Sequence, residues 1–277
     1  MSENTGTYDY FTMDGLGNDF IVFDAREQDI PLSSEDVRLL SDRVDGIGCD
    51  QLIVIKPSDT CDAFMEIWNA DGGMVAACGN AARCIAWYLA DGKAGAQVSI
   101  QTAATLLHAT VLEDNFVTVD MGEPGVHWQD IPLAGVMDTL SLPLSAGPLA
   151  NPIAVSMGNP HAVFFVEDVD ALDAIDLESL GPILERDALF PEHANISVCS
   201  VEGDLIRQRV WERGVGITKA CGTGACAALV AAARRGLTGR IATVRLDGGD
   251  LTIIWNDINH VIMTGEVAMG HGGTVTL

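Results

Sequence analysis

Two cysteines stand at the head of two similar segments, "WNADGGMVAACGNAARC" from Trp68 to Cys84 and "WERGVGITKACGTGAC" from Trp211 to Cys226. Trp68 and Trp211 are 143 positions apart, and so are Cys78 and Cys221. Each of these two cysteines is followed by a glycine and then by small and apolar residues, which predicts a helix that begins at the thiol. A helix N-terminus leaves backbone N–H groups unpaired and carries the positive end of the macrodipole. A thiol placed there is expected to have a lowered pKa and to supply thiolate near neutral pH. Gly79, Gly222 and Gly224 let a ligand approach the backbone, whose N–H groups can hold a carboxylate. Each segment therefore offers an acid or base beside an anion cradle.

If the halves pack face to face, two sulfurs approach one ligand from opposite sides. That suits inversion at a carbon, with one cysteine removing a proton as thiolate and the other returning one as thiol. The α-hydrogen of an amino acid is only weakly acidic. Donors aimed at its carboxylate stabilise the developing enolate-like charge, each typically worth ~3 kcal/mol. Taken singly, either cysteine reads equally well as a small residue where a helix packs tightly; the duplication favours chemistry. Zinc is disfavoured, because Cys78/Cys84 and Cys221/Cys226 are spaced too widely for a paired-ligand knuckle and no histidine lies close by. Thiol–disulfide exchange would favour a C-x-x-C motif, which is absent.

The elements that must position these residues recur in both halves. A weaker echo precedes each motif, "GNDFIVFD" from Gly17 and "GNPHAVFF" from Gly158. In the first half, "FIVFDA", "QLIVIK" and "DAFMEIWNA" read as strands, "CGNAARCIAWYLADG" as a helix ending at Gly92, and "VSIQTA", "LLHATVLED" and "FVTVDMG" as strands again. In the second half, "IAVSMGNPHAVFFVED" is strand-like, a helix is expected around "DAIDLESLGPILERD", "DLIRQRVWERG" is a strand, Cys221 to Arg235 is a helix, and "LTIIWND" and "VIMTGEV" close as strands. The expected class is α+β: two pseudo-symmetric domains, each a mostly antiparallel sheet wrapped around a central helix. Residues 1–124 and 125–267 form the two halves, with a C-terminal strand, 268–277, returning to the first.

The 277 residues carry 39 acidic against 15 basic side chains, a formal charge of −24. That argues against a nucleic-acid surface, which needs clustered Lys and Arg. Self-repulsion on this scale is expected to be relieved by salt, so a high-salt cytoplasm is one reading and an ordinarily acidic enzyme the other. The N-terminus lacks the basic start and apolar core of a signal peptide, and the longest uncharged run is broken by four prolines, so the expectation is a cytoplasmic protein with no membrane span. The seven cysteines read as free thiols. Cys49, Cys61 and Cys199 are expected in the core, the last two in strand-like stretches.

The motifs "GLGNDF", "GIGCDQ", "WNADG", "CGNAAR", "SMGNPH", "FPEHANIS", "WERGVGITKACGTGAC" and "MTGE" follow one another almost end to end, and together they resemble the diaminopimelate epimerase family, whose members are cofactor-independent two-cysteine isomerases. The resemblance implies interconversion of LL- and meso-diaminopimelate in lysine biosynthesis, without cofactor or metal, by a homodimer. It implies Cys78 and Cys221 as the proton-transferring pair, with Cys221 the acceptor and Cys78 the donor from LL to meso. His161 and Glu212 are implied as tuners of the thiols, and Gly79, Asn80, Gly222 and Thr223 as the cradle of the reacting carboxylate. The distal end of the substrate falls to Arg213, since a guanidinium suits a carboxylate. Asn18, Gln51, Asn69, Asn159 and Asn195 match the family's polar ligands, amides that can serve a zwitterion.

Without the resemblance, Asn18 and Asn159 read as turn formers, His161 as a structural histidine and Arg213 as a surface ion-pair partner. Three positions depart from the family pattern: Ala81 for a second glycine, Trp211 where tyrosine is common, and Cys49 where a larger residue such as phenylalanine is usual. His271 stands near the C-terminal tyrosine that supports the dimer in some members. The rival readings are a proline or hydroxyproline racemase of the same fold, which would leave Arg213 and the amides poorly used, and a silent amino-acid-binding protein, for which two retained thiols have no purpose.

Overall fold

The structure, a computed structural model, describes residues 6–76 and 78–277. The chain divides into two compact units, Met1–Val119 with Gly265–Leu277, and Asp120–Thr264. The first contains β1 (Thr7–Asp14), β2 (Asp19–Asp24), α1 (Ser34–Ser41), β3 (Gln51–Lys56), β4 (Ala63–Asn69), β5 (Met74–Val75), α2 (Gly79–Leu89), β6 (Gln97–Gln101), β7 (Leu106–Val111) and β8 (Phe116–Asp120). The second follows with a small hairpin, β9 (Ser145–Ala146) and β10 (Leu149–Ala150), then β11 (Ile153–Ser156), β12 (Pro160–Phe165), α3 (Val169–Asp173), α4 (Leu177–Glu185), β13 (Asn195–Glu202), β14 (Leu205–Glu212), β15 (Gly216–Thr218), α5 (Gly222–Arg235), β16 (Ile241–Leu246), β17 (Gly249–Trp255) and β18 (Val261–Glu266). The chain closes with β19 (Ala268–Thr276).

The pairings repeat. In the first unit β1–β2, β3–β4, β4–β5 and β6–β7 are antiparallel, while β2–β3 and β4–β6 are parallel. In the second, β11–β12, β13–β14, β14–β15, β16–β17 and β17–β18 are antiparallel, while β12–β13 and β14–β16 are parallel. Parallel neighbours need a crossover, and helices supply it: α1 and α2 in the first unit, α3 with α4 and then α5 in the second. The sheets are thus mostly antiparallel with two parallel joins each. β19 pairs antiparallel with β1, Thr7 opposite Thr276.

The two thiol-led helices are central because of their composition. α5 is "GTGACAALVAAARR", uncharged until its last turn and buried from Gly224 through Ala232. A helix apolar on all sides is stable only when enclosed, and this one packs on β11, β12, β13, β14, β16 and β17. Gly236 ends it in the left-handed conformation (φ 70°), with Arg234 and Arg235 at the negative end of its dipole. α2 is buried from Gly79 through Ala86 and rests on β6 and β7. Each unit has its own apolar cluster, around Ile21, Phe23, Leu52 and Val54 in the first and around Phe164, Leu184, Phe190 and Ile196 in the second.

Three departures from the sequence expectations have physical causes. The helix expected around 173–187 is two, because Asp168 and Asp176 each cap a separate start through their side chains. α1 is short and charged, held by a capping box between Ser33 and Asp36, and β1 pairs along its length with β19 from the far end of the chain as well as with β2. Cys61 lies in a bend before β4 and is partly exposed, so it is not the strand core residue expected; Cys49 and Cys199 are buried.

Candidate active site

In the first unit, the turn between β1 and β2 runs through Leu16 and Gly17, both left-handed, and is held by Gly17 N donating to Asp14 Oδ1 at 2.8 Å. It presents Asn18, whose Nδ2 donates to Asp50 Oδ2 at 3.0 Å. Arg43 bridges Asp19 and Asp50 at 2.8 Å each, which braces that turn. Cys78 is the N-cap of α2, in extended conformation (φ −147°, ψ 115°), and is partly buried. Its Sγ lies 4.0 Å from Asn18 Oδ1, which also accepts from Asn80 Nδ2 at 3.3 Å. Arg83, fully buried one turn on, donates to Asn80 Oδ1 at 3.1 Å. Gln51 and Asn69 are opposed in register on β3 and β4, and Gln51 Nε2 donates to Asn69 Oδ1 at 2.9 Å. Gln51 Oε1 is buried with no hydrogen-bond partner, an acceptor left for a ligand.

In the second unit, Cys221 is likewise the N-cap of α5 (φ −132°, ψ 105°) and is 4% exposed. Asn159, in the turn after Gly158, donates to Thr223 Oγ1 at 3.3 Å, and that hydroxyl lies 3.7 Å from Cys221 Sγ. His161 is fully buried; its Nε2 is 2.9 Å from Asn159 Oδ1 and its Nδ1 has no partner. Burial, with Arg213 adding to it, lowers the His161 pKa to about 3, so the ring is neutral and Nε2 carries the proton that Asn159 accepts. Asn195 Nδ2 donates to the Pro160 carbonyl, and its Oδ1 accepts from Arg213 N at 2.9 Å. Arg213 also donates through NH1 to the Glu192 carbonyl at 2.8 Å. Glu212, at the end of β14, accepts from Thr218 Oγ1.

The expectation of a low thiol pKa fails at Cys221. Burial pushes this thiol well above its ordinary value, and the Glu212 carboxylate adds to the shift by its charge and a hydrogen bond. The Thr223 hydroxyl and the Gly224 N–H, donating toward the sulfur, oppose this and are outweighed. Desolvation wins over the helix terminus because the sulfur is almost wholly enclosed.

The structure therefore gathers Asn18, Gln51, Asn69, Cys78, Gly79 and Asn80 in one unit, and Asn159, His161, Asn195, Glu212, Arg213, Cys221, Gly222 and Thr223 in the other. Sequence reasoning overlooked Arg83 and Gln208. The signal for Arg83 was its lone charge within an apolar helix. Gln208 is fully buried on β14, donates to Ser197 Oγ at 2.7 Å and keeps an unpartnered Oε1; its amide is among the groups nearest Gly224. Among the described residues no three His, Cys, Asp or Glu side chains come together as metal ligands would, and no helix is long and apolar enough to cross a membrane.

Two thiol-capped helices, one in each of two like-folded units, define the class: a fold shared with epimerases. A hydroxyproline epimerase from Agrobacterium vitis superposes with a TM-score of 0.71 at 17% identity, covering 98% of this chain and 93% of that one. A phenazine biosynthesis protein of the PhzF family from Bacillus anthracis gives 0.71 at 15% identity, covering 98% and 100%. Sequence narrows the class. The family model described as "Diaminopimelate epimerase" matches residues 10–126 and 153–270. The diaminopimelate epimerase of Rhodospirillum centenum is 52% identical over 270 residues, 96% of this chain and 92% of that protein, and that of Acidiphilium cryptum is 51% identical over 261 residues, 94% and 93%. The chain belongs to the diaminopimelate epimerase family.

Proposed function

We propose that the chain interconverts LL- and meso-diaminopimelate through proton transfer at the α-carbon by the thiols of Cys78 and Cys221. This is the activity of its family, an isomerase step of lysine biosynthesis. The observation that carries the residue assignment is the repeated construction: in each unit a cysteine caps a buried helix with a polar side chain beside its sulfur, the Asn18 amide from the β1–β2 turn at Cys78 and the Thr223 hydroxyl from the first turn of α5 at Cys221. Inversion requires one sulfur to take the α-hydrogen and the other to deliver a proton to the opposite side of the carbon. The reacting pair therefore holds one proton, as one thiol and one thiolate.

Cys221 rests as a thiol, its proton directed at Glu212. To act as acceptor from LL to meso it must first release that proton, and Glu212 is the carboxylate within reach to take it. Cys78 then supplies the proton to the other side of the carbon. The reacting carboxylate is held by the first-turn N–H groups of Gly79, Asn80, Gly222 and Thr223, which stabilise the charge that develops when the α-hydrogen leaves. Arg213 binds the distal carboxylate, its guanidinium already aimed by the Glu192 carbonyl. Asn18, Gln51, Asn69, Asn159 and Asn195 serve the two zwitterionic ends; the unpartnered Gln51 Oε1 is suited to an ammonium. His161, neutral, acts through Asn159 and Thr223 and not as a proton donor.

The same resemblance supports a cytoplasmic homodimer. His271, near the family's tyrosine position, lies 3.3 Å from Thr12 Oγ1 and edge-on to Tyr10 at 6.2 Å between ring centres. Incubation with LL-diaminopimelate in D₂O, at low and at molar salt, tests the reading. Meso product carrying solvent deuterium at the inverted carbon is expected, with more activity in salt if the acidic surface is a high-salt adaptation. Folded protein that exchanges no α-hydrogen at any salt overturns it.

A further inference from the structure

Glu185 is a carboxylate that the chemistry above does not use, yet it is 3% exposed. It ends α4 and accepts from Trp211 Nε1 at 2.7 Å through Oε2 and from Gly214 N at 3.1 Å through Oε1. Those two donors flank Glu212 and Arg213 in the chain, so a single carboxylate grips the turn on both sides of the pair. A buried carboxylate is stable only when donors replace its water, and hydrogen bonds to a charged acceptor are the strong ones.

The surroundings fit the grip. Gly214 is left-handed (φ 74°), and Val215 N closes the turn on the Glu212 carbonyl at 3.1 Å. The indole of Trp211 fills the space at Gly181 of α4, where an added Cβ would collide with the ring. His193 Nδ1 is 3.8 Å from Glu185 Oε1, and the neighbouring Glu192 carbonyl is the acceptor for the Arg213 guanidinium. Glu185 thus touches the Trp211–Gly214 turn directly and neighbours the loop that receives the guanidinium.

We propose that Glu185 is the positioning residue for recognition of the distal end of the substrate: by clamping Trp211 and Gly214 it fixes the turn that aims Arg213. The proposal rests on the reading of Arg213 as the distal-carboxylate ligand. Trp211, a departure from the tyrosine common in the family, is part of the device, because its indole N–H is one of the two clamping donors.

The test is a cycle of Glu185→Gln, Arg213→Met and the double variant, assayed for kcat and KM with LL-diaminopimelate, with thermal melting of each. Glu185→Gln keeps the volume and removes the charge. It should raise KM about tenfold with kcat little changed, the size expected for weakening a hydrogen bond to a charged group. In the Arg213→Met background the same change should leave kcat/KM unmoved while its effect on melting persists. Equal loss of kcat/KM in both backgrounds, or an unchanged KM in the native background, overturns the proposal. An Arg213→Met variant with native KM overturns the distal-carboxylate reading instead, and with it the route assigned to Glu185. Should Glu185→Gln fail to fold, Trp211→Phe removes one donor alone; a raised KM supports the clamp and a native KM overturns it.

Discussion

The two half-sites share a backbone and differ in charge. Cys78 and Cys221 cap α2 and α5 with nearly the same dihedral angles, and Gln51 and Asn195 hold equivalent register places on β3 and β13, opposite Phe20 and His161. Around this scaffold the side chains diverge. Asn69 in the first unit corresponds to Glu212 in the second, Arg83 to Cys226, Phe20 to His161 and Ala81 to Gly224. The first thiol sits among amides with a buried guanidinium one turn away; the second is enclosed beside a carboxylate that helps to keep the proton on its sulfur. A duplicated fold can place two identical groups symmetrically, but an inversion needs one to give while the other takes. The side chains that differ between the halves make the thiols unequal before substrate arrives.

The comparison breaks most severely when either thiol is removed. Cys78→Ala and Cys221→Ala should each lower epimerisation at least about a thousandfold, since each deletes a general acid or base. Deuterium exchange measured separately from the LL and meso substrates then sharpens the roles, because the variant that keeps the acceptor for one isomer can still wash out its α-hydrogen. Native turnover in either variant would end the two-thiol account.

Glu212→Gln replaces the carboxylate by an amide like that of its counterpart, Asn69. Loss of its charge should bring the Cys221 thiol down toward its ordinary value, burial still holding it up. Alkylation of Cys221 by iodoacetamide at fixed pH should therefore accelerate while turnover falls roughly a hundredfold, as expected for a lost proton acceptor. A slower alkylation would show that Glu212 activates the thiol in the resting protein.

Much of this scaffold was legible in the sequence because motif spacing records chain geometry. The ten residues from Trp68 to Cys78 and from Trp211 to Cys221 carry the chain from the end of one strand, through a short return strand, to a helix cap, and that path cannot change length without moving the thiol. The uncharged helix after Cys221 could only be central. Thiol protonation was not legible, because the helix terminus is a local feature whereas burial depends on everything packed around the sulfur. Glu185 escaped notice for a similar reason: a glutamate late in an amphipathic helix reads as surface until Trp211 and Gly214 close over it. β1 was silent because only its second half, from Phe11, pairs with β2, while the partner that spans its whole length, β19, lies at the other end of the chain.

The first turns of the two helices differ in how much room they leave. A Cβ at Gly224 would lie 3.1 Å from Cys221 Sγ and 3.3 Å from Gln208 Nε2, so Gly224→Ala should displace the sulfur and cost between about ten- and a hundredfold in kcat, as small misplacements of a reacting group do. The reciprocal change, Ala81→Gly, meets no such constraint. It should leave turnover intact and cost up to about 1 kcal/mol of stability from helix propensity, read by urea denaturation. Equal kinetic effects would mean that the two cradles are tighter or looser together.

The last effect concerns protons and is read in stability alone. His161→Phe installs the residue of the first unit at the matching place of the second. Native His161 does not take a proton until the pH falls to about 3, whereas the unfolded chain takes one near 6.5. Between those values the unfolded state holds more protons at this site, so stability rises with pH across the window and is lost as pH falls from 6.5 toward 3, by at most about 1.4 kcal/mol per pH unit. Above 6.5 the site contributes no slope. The phenylalanine variant should lose on the order of 1 kcal/mol at pH 7, where Asn159 Oδ1 gives up its donor, and should then show a shallower fall in stability between pH 6.5 and 4 than the parent. Parallel curves for the two proteins would mean that His161 titrates normally and that its burial does not keep it neutral. In that event the second half-site would hold a protonatable imidazole one amide and one hydroxyl away from Cys221, and the contrast between the two thiols would itself depend on pH.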